Sequence, residues 1–182
     1  MRAYKFLADG GVGPFSGFHW PLPAHGEPGA WVIPSIEAAP AFRDAVRACS
    51  IEQLAYWVNA ELWEAELADP VSMGVRVVAA SRCRLVRRVA SWGPRVAEDY
   101  LAACLERARG HATEADQREV TMYARSAERL AERGPAATAY IAAHTAGVRS
   151  QVMGEASFDQ GCRAERRWQS MWLADRLGLG AG

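Results

Sequence analysis

The run ELWEAEL, residues 61–67, decides how the first half of this chain is read. Trp63, Ala65 and Leu67 recur at every second position, with Glu64 and Glu66 between them. Side chains of a strand alternate between its two faces, so the run predicts a strand with one aromatic and aliphatic face and one acidic face. Downstream, Asp69-Pro70 predicts a turn, and VRVVAA (75–80) and RCRLVRRV (82–89) predict two further strands. In the second of these, Arg82 and Arg84 alternate with Cys83 and Leu85. An acidic strand beside an arginine-rich one can pair charges across a sheet, each pair contributing about 0.2–1 kcal/mol. Glu64 and Glu66 are therefore expected on the solvent side, matched by arginines such as Arg84.

Upstream of the run, SIEQ at Ser50–Gln53 has the capping-box pattern. It predicts a short helix from Ile51 to about Val58, carrying Leu54 and Trp57, with Asn59 as its stop. SIEAAPAFRDAVRA (35–48) predicts another short helix, with Pro40 near its start. RAYKFL (2–7) predicts a first strand with Tyr4 and Phe6 on one face. The stretch between, residues 8–31, is rich in Gly and Pro and predicts an ordered loop without regular elements, in which Phe15, Phe18, Trp20 and Trp31 must find packing.

Beyond Trp92 the chain turns alanine-rich and helical in period. Pro94 suits a helix N1 position, and Val96, Ala97, Tyr100, Leu101, Cys104, Leu105 and Ala108 share half of the wheel, with Gly110 as the expected end. Thr113 with Asp116 marks a weaker start for a second helix, carrying Val120, Tyr123, Ala127 and Leu130 up to Gly134-Pro135. A third helix opens at Pro135 and carries Ala137, Tyr140, Ile141, His144 and Val148. The last, CRAERRWQSMWLADRLGL (162–179), has Trp168, Met171 and Trp172 on one side and Leu173 and Leu177 nearly opposite. A helix apolar on two sides is buried between neighbours or offers one side to a partner. The expected fold class is thus α+β: a small antiparallel or mixed sheet with short helices over residues 1–92, then about four helices over 93–182 packed on it in one shared core.

Composition narrows the function. The 182 residues carry 21 basic and 21 acidic side chains, a balance that argues against a dedicated nucleic-acid binder. Lys5 is the single lysine, and with the alanine-rich helices this suggests a GC-rich genome. No apolar run approaches the length of a membrane span, and the start lacks a secretory pattern, so a cytoplasmic protein is expected. Cys49, Cys83, Cys104 and Cys162 are far apart, without a CxxC pair; reduced core thiols are expected, and no metal site.

Two stretches carry a resemblance. GFHW (17–20) followed by Cys49, Leu54, Trp57, Trp63, Glu64, Glu66, Val78 and Val86 resembles a small α+β module of phage and bacterial proteins of unknown function. AERRWQSMWLADRLGL (164–179) is similar to the C-termini of alanine-rich actinobacterial helical proteins, some of them labelled immunity proteins. Together these resemblances imply an actinobacterial, intracellular protein, and neither brings an established activity.

Candidate chemistry centres on few residues. His19 in the Gly/Pro loop suits general acid–base work by its titration range, against the alternative of a loop histidine bonded to backbone. Cys49 precedes a helix start, where a thiolate is favoured, and with His19 it could form a nucleophile; the alternative is a buried strand-end thiol. His144 is expected as a packing residue, and His25 and His111 in solvated turns. Glu64-Ala65-Glu66 matches the Glu-x-Glu strand of ADP-ribosyltransferase-like enzymes, which would bring NAD as cofactor; a carboxylate there would stabilise an oxocarbenium-like charge. No P-loop, GxSxG, HExxH or EF-hand pattern is present. The leading expectation is a partner-binding protein of immunity or accessory type, without a catalytic centre or cofactor. It would grip a protein partner through Trp20, Trp31, Trp57, Arg84, Trp168 and Trp172, since interface energy concentrates in Trp and Arg anchors.

Overall fold

The computed structural model describes residues 1–34 and 45–180, with the side chains of residues 69–71 outside the description. The chain has an α+β fold and divides into two compact units, Met1–Gly93 and Pro94–Gly182.

The first unit is an antiparallel sheet of β1 (Arg2–Leu7), β2 (Val46–Ala48), β3 (Glu61–Met73) and β4 (Val78–Arg88), in the order β1-β3-β4-β2. The period-two reading of 61–67 holds. Lys5 faces Trp63 and Ala3 faces Ala65 in the β1–β3 register, and Leu85 and Cys83 face Ala65 and Leu67 across β3–β4. One face therefore gathers Ala3, Leu7, Trp63, Ala65, Leu67, Cys83 and Leu85 into a core that Trp20 and Val32 complete.

Three expectations change here. Asp69-Pro70 does not turn the chain; the register shifts between Ala68 and Val71, so the pair forms a bulge inside a strand that runs on to Met73. A proline in a strand needs such a place, because it has no N–H for the ladder. The turn comes at Gly74, whose N–H donates to the Val77 carbonyl. VRVVAA and RCRLVRRV are consequently not two strands: β4 runs unbroken from Val78 to Arg88. The helix expected over 35–48 lies outside the described residues for 35–44, and its end, Val46–Ala48, is strand β2, paired with Ala80, Ala79 and Val78.

The sheet curls. Tyr4, on the outer edge of β1, exchanges two backbone hydrogen bonds of 2.8 Å with Cys49, just after β2 at the opposite edge. The two edges of the order β1-β3-β4-β2 are thereby joined at one point. A 3₁₀ turn, Ile51–Tyr56, follows in place of the expected helix. The capping glutamine is as read: Gln53 Oε1 accepts from the Ser50 N–H at 3.0 Å, while its Nε2 donates to the Gly74 carbonyl at 2.6 Å.

The second unit holds α1 (Pro94–Ala115), α2 (Arg118–Leu130), α3 (Pro135–Val152) and α4 (Phe158–Leu177). α1 runs through Gly110 rather than ending there. A helical glycine costs about 1 kcal/mol relative to alanine. That cost is outweighed by what lies beyond it: Ala115 is buried, and His111 reaches a carboxylate of α4. The expected cap at Thr113–Asp116 is replaced by a break at Asp116, whose φ is 46°, with α2 starting after Gln117. α4 starts earlier than read, at Phe158, because Ser157 and Gln160 form a reciprocal capping box.

α3 contacts α1, α2 and α4. Its buried residues are mostly small: Thr138, Ala139, Ala142, Ala143, Thr145, Ala146 and Gly147, with Val148 the one larger side chain. Small side chains let neighbouring helices close in. At Gly147 an added Cβ would lie 2.8 Å from the Phe158 carbonyl oxygen of α4; at Gly161 of α4 it would lie 2.8 Å from the Ala146 carbonyl oxygen of α3. Among the described residues no helix is long and apolar enough to cross a membrane.

Candidate functional site

On β1 the residues alternate, so Ala3, Lys5 and Leu7 share the core face. Ala3 and Leu7 are fully buried. Lys5 is the one charged group in that row. Its Nζ donates to the Arg47 carbonyl at 2.5 Å, beside the point where the sheet edges meet, and lies 4.4 Å from the centre of the Trp20 ring. Burial pushes the Lys5 ammonium below its ordinary pKa. The titratable groups that act on it are Cys83 and Cys49, whose thiols burial pushes up to about 11 and about 12. They stay protonated at neutral pH and supply no counter-ion. Among the described residues no carboxylate pairs with Lys5.

Lys5 opens onto a cavity of about 410 Å³ at the β1–β2 seam. Its walls carry five aromatic side chains, Tyr4, Phe6, Phe15, Trp20 and Trp57, together with Cys49 and Arg47. Phe15 stands at the rim, 86% exposed and edge-on to Trp57, with ring centres 6.3 Å apart. Trp57 is fixed by its Nε1, which donates to the Arg76 carbonyl at 2.6 Å.

The loop that carries Phe15 is held by Glu61. This carboxylate, 6% exposed, accepts from the N–H groups of Gly10 and Gly11 at 3.3 and 3.1 Å and from Trp63 Nε1 at 3.0 Å. Gly10 and Gly11 both take positive φ, 75° and 73°, which aims their N–H groups at one acceptor. Glu61→Ala leaves three donors without that acceptor. A loss of about 2–3 kcal/mol is expected, since each buried unpaired donor costs about 1–3 kcal/mol and the glycine N–H groups can recover water. The midpoint of urea unfolding and faster amide exchange at Gly10 and Gly11 check it.

The residues singled out in sequence fall in separate places. Cys49, Trp20 and Trp57 come together around the cavity. The Cys49 thiol donates to the Tyr4 carbonyl at 3.3 Å and is not a thiolate. His19 is exposed, and among the described residues no side-chain bond links it to Cys49, so the Cys–His pair does not form. Trp20 is 3% exposed and belongs to the core instead of a docking surface. Trp31 is half-buried beneath two guanidiniums, Arg82 at 4.9 Å and Arg84 at 4.7 Å.

The glutamates are paired with arginines, but not all lie in water. Glu66 pairs with Arg84 at 2.6 Å and stays half-exposed. Glu64, 7% exposed, is held by Arg87 at 2.6 Å and Arg2 at 2.8 Å. Its burial corrects the solvent-side expectation. Desolvation alone would raise its pKa; the two arginine hydrogen bonds outweigh that and hold it below the ordinary carboxylate value. Charges engaged in this way are bridging the sheet.

A second polar cluster lies within the helical unit. Glu165 of α4, 2% exposed, accepts from Arg107 Nη2 at 2.7 Å and from His111 Nε2 at 3.1 Å, both on α1. His111 is thus half-buried on a helix, correcting its placement in a solvated turn. Arg107 also lies 4.5 Å over the Trp168 ring, and Trp172 packs against Tyr100 with centres 5.6 Å apart. Arg107, His111, Trp168 and Trp172 border a cavity of about 320 Å³. His144 is a packing residue as expected, tilted against Tyr140 and edge-on to Phe158. All four cysteines are free.

Lys5, Glu61 and Glu165 were not singled out in sequence. The alternation Ala3–Lys5–Leu7 was the available signal for Lys5. Glu165 had none, because its partners lie 54 and 58 residues away. No protein family, curated protein or solved structure matches the chain.

Proposed function

We propose that the protein is a binding protein whose ligand is a small, largely apolar molecule with one oxygen acceptor, held in the cavity beside Lys5. The observation that carries this reading is the lysine itself. It is a half-buried cation with no carboxylate partner among the described residues, facing a space of about 410 Å³ lined by five aromatic side chains. Ligand sites are of this size and make-up: mostly apolar walls and a few polar groups that fix orientation. Lys5 would supply the donor, Trp57 and Phe6 the walls, and Phe15 the rim.

Titration with benzoate, benzyl alcohol and indole, followed by tryptophan fluorescence and thermal unfolding, tests it. Saturable binding is expected for at least one of the three. At a hundredfold the dissociation constant it stabilises the fold by about 2.7 kcal/mol. Trp57→Ala is expected to weaken that binding at least about tenfold, or about 1.4 kcal/mol. A wild-type protein that responds saturably to none of the three contradicts the proposal.

A second reading is favoured by Phe15, whose ring is 86% exposed beside Trp57. Large exposed aromatics are common anchors in protein interfaces. A partner protein of the kind expected for an immunity or accessory role would dock at this rim. A purified partner whose binding is saturable and lost in Phe15→Ser supports it; a partner bound equally by that variant contradicts it.

A further inference from the structure

Twenty of the 21 basic side chains are arginine, so the chain carries one side-chain amine, Lys5. An arginine cannot shed its proton in a protein, whereas a buried lysine can. Lys5 is half-buried on the core face of β1, a placement that favours that loss. It lies in the apolar row between Ala3 and Leu7, no carboxylate among the described residues holds its charge, and the titratable groups that act on it, Cys49 and Cys83, are protonated thiols. One N–H is tied to the Arg47 carbonyl, which accepts from the neutral amine as well as from the ammonium. The nitrogen borders a cavity able to hold an aromatic group. Partial burial lowers the lysine's pKa and so increases its share of free amine at neutral pH.

From this placement we infer that Lys5 is a nucleophile that captures a small apolar aldehyde or ketone in the cavity as an imine. The inference rests on the cavity being a ligand site. The amine lone pair adds to the carbonyl carbon, forming the C–N bond, while the carbonyl π pair moves to oxygen. The nitrogen gives up a proton to that oxygen, giving a carbinolamine. Expulsion of the oxygen as water, with loss of the second nitrogen proton, leaves C=N. One carbonyl compound and one amine give one imine and one water, with no change in oxidation state. Aryl and alkyl carbonyl compounds suit the walls of Tyr4, Phe6 and Trp57.

Benzaldehyde with sodium cyanoborohydride at neutral pH tests the inference on the intact chain, read by whole-protein mass and peptide mapping. One benzyl group is expected on Lys5, formed about tenfold or more faster than on Nα-acetyl-lysine under the same conditions. Excess benzyl alcohol, which can occupy the cavity but cannot form an imine, is expected to slow the trapping. Lys5→Arg is expected to leave only the slower α-amino reaction at Met1. Reaction confined to Met1, or a Lys5 rate no greater than that of the free amino acid, overturns the inference. If benzyl alcohol still binds saturably in that case, the ligand site stands and only the covalent step falls. If none of benzyl alcohol, benzoate and indole binds saturably, both fall. The wild-type rate and its protection decide the question even where the Lys5→Arg chain folds poorly.

Discussion

Gly161→Val is expected to destabilise the helical unit by about 3 kcal/mol, at or beyond the upper end of ordinary overpacking. Gly161 sits in the first turns of α4, where its backbone meets α3. A Cβ there would stand 2.6 Å from Ser150 Oγ, 2.8 Å from Ser150 Cβ and 2.8 Å from the Ala146 carbonyl oxygen. The hydroxyl can rotate away, but the Cβ and the carbonyl belong to α3 and move only with the helix. Gly147 makes the reciprocal approach, so relief at one contact tightens the other. Gly110 provides the control. A Cβ on it meets nothing within 4 Å, and it lies inside α1. Gly110→Ala should therefore stabilise by about 0.5–1 kcal/mol, the ordinary gain in helix propensity. Opposite signs in urea unfolding monitored at 222 nm are the expected result. Two destabilised variants, or two neutral ones, would refute the close-approach argument.

Glu165→Gln is expected to cost about 2 kcal/mol at neutral pH, below the roughly 3–5 kcal/mol of a fully buried pair because Arg107 keeps partial access to water. The pH dependence is the more telling measurement. Desolvation alone would raise the pKa of Glu165; the hydrogen bonds from His111 and Arg107 overcome that and hold it below the ordinary value. A carboxyl whose folded pKa is depressed binds fewer protons in the native state than in the unfolded one. Its stabilisation is fully present above the unfolded pKa, about 4.3, and is lost as pH falls through the lower folded pKa. Wild-type stability should fall from about pH 5 downward. In Glu165→Gln the helix signal should lose the Glu165 part of that slope. The component from Glu64, whose pKa is also depressed, remains. Parallel pH profiles for the two chains would count against the assignment.

What the sequence made legible follows from the range of the forces involved. The strand at 61–67 and the apolar wheel beginning at Val96 could be read because a periodic face is a local signal. The Ser50–Gln53 cap and the Gly134-Pro135 stop were equally local. Gly110 misled because propensity is worth about 1 kcal/mol and packing beyond it is worth more. Asp69-Pro70 misled because a bulge uses the same residues as a turn, and only the partner strand distinguishes them. At the candidate site, Cys49, Trp20 and Trp57 were legible as residues of interest but not as neighbours. The seam that gathers them depends on the pairing of Tyr4 with Cys49, 45 residues away. Lys5 gave a weaker signal than Tyr4 and Phe6, the aromatic half of β1, because a single charge in the other half reads as solvent-facing until the partner strands are placed.

The joining of Tyr4 to Cys49 also bears on how the protein behaves in a crowded solution. An open sheet exposes rows of unsatisfied N–H and C=O groups along its outermost strands, and a second chain can add to them. Here the two outermost strands satisfy part of one another's demand, and Val32 bonds Cys83 further along β4. A chain arranged in this way offers little template for strand addition, and should resist fibrillar self-association for as long as that seam stays shut.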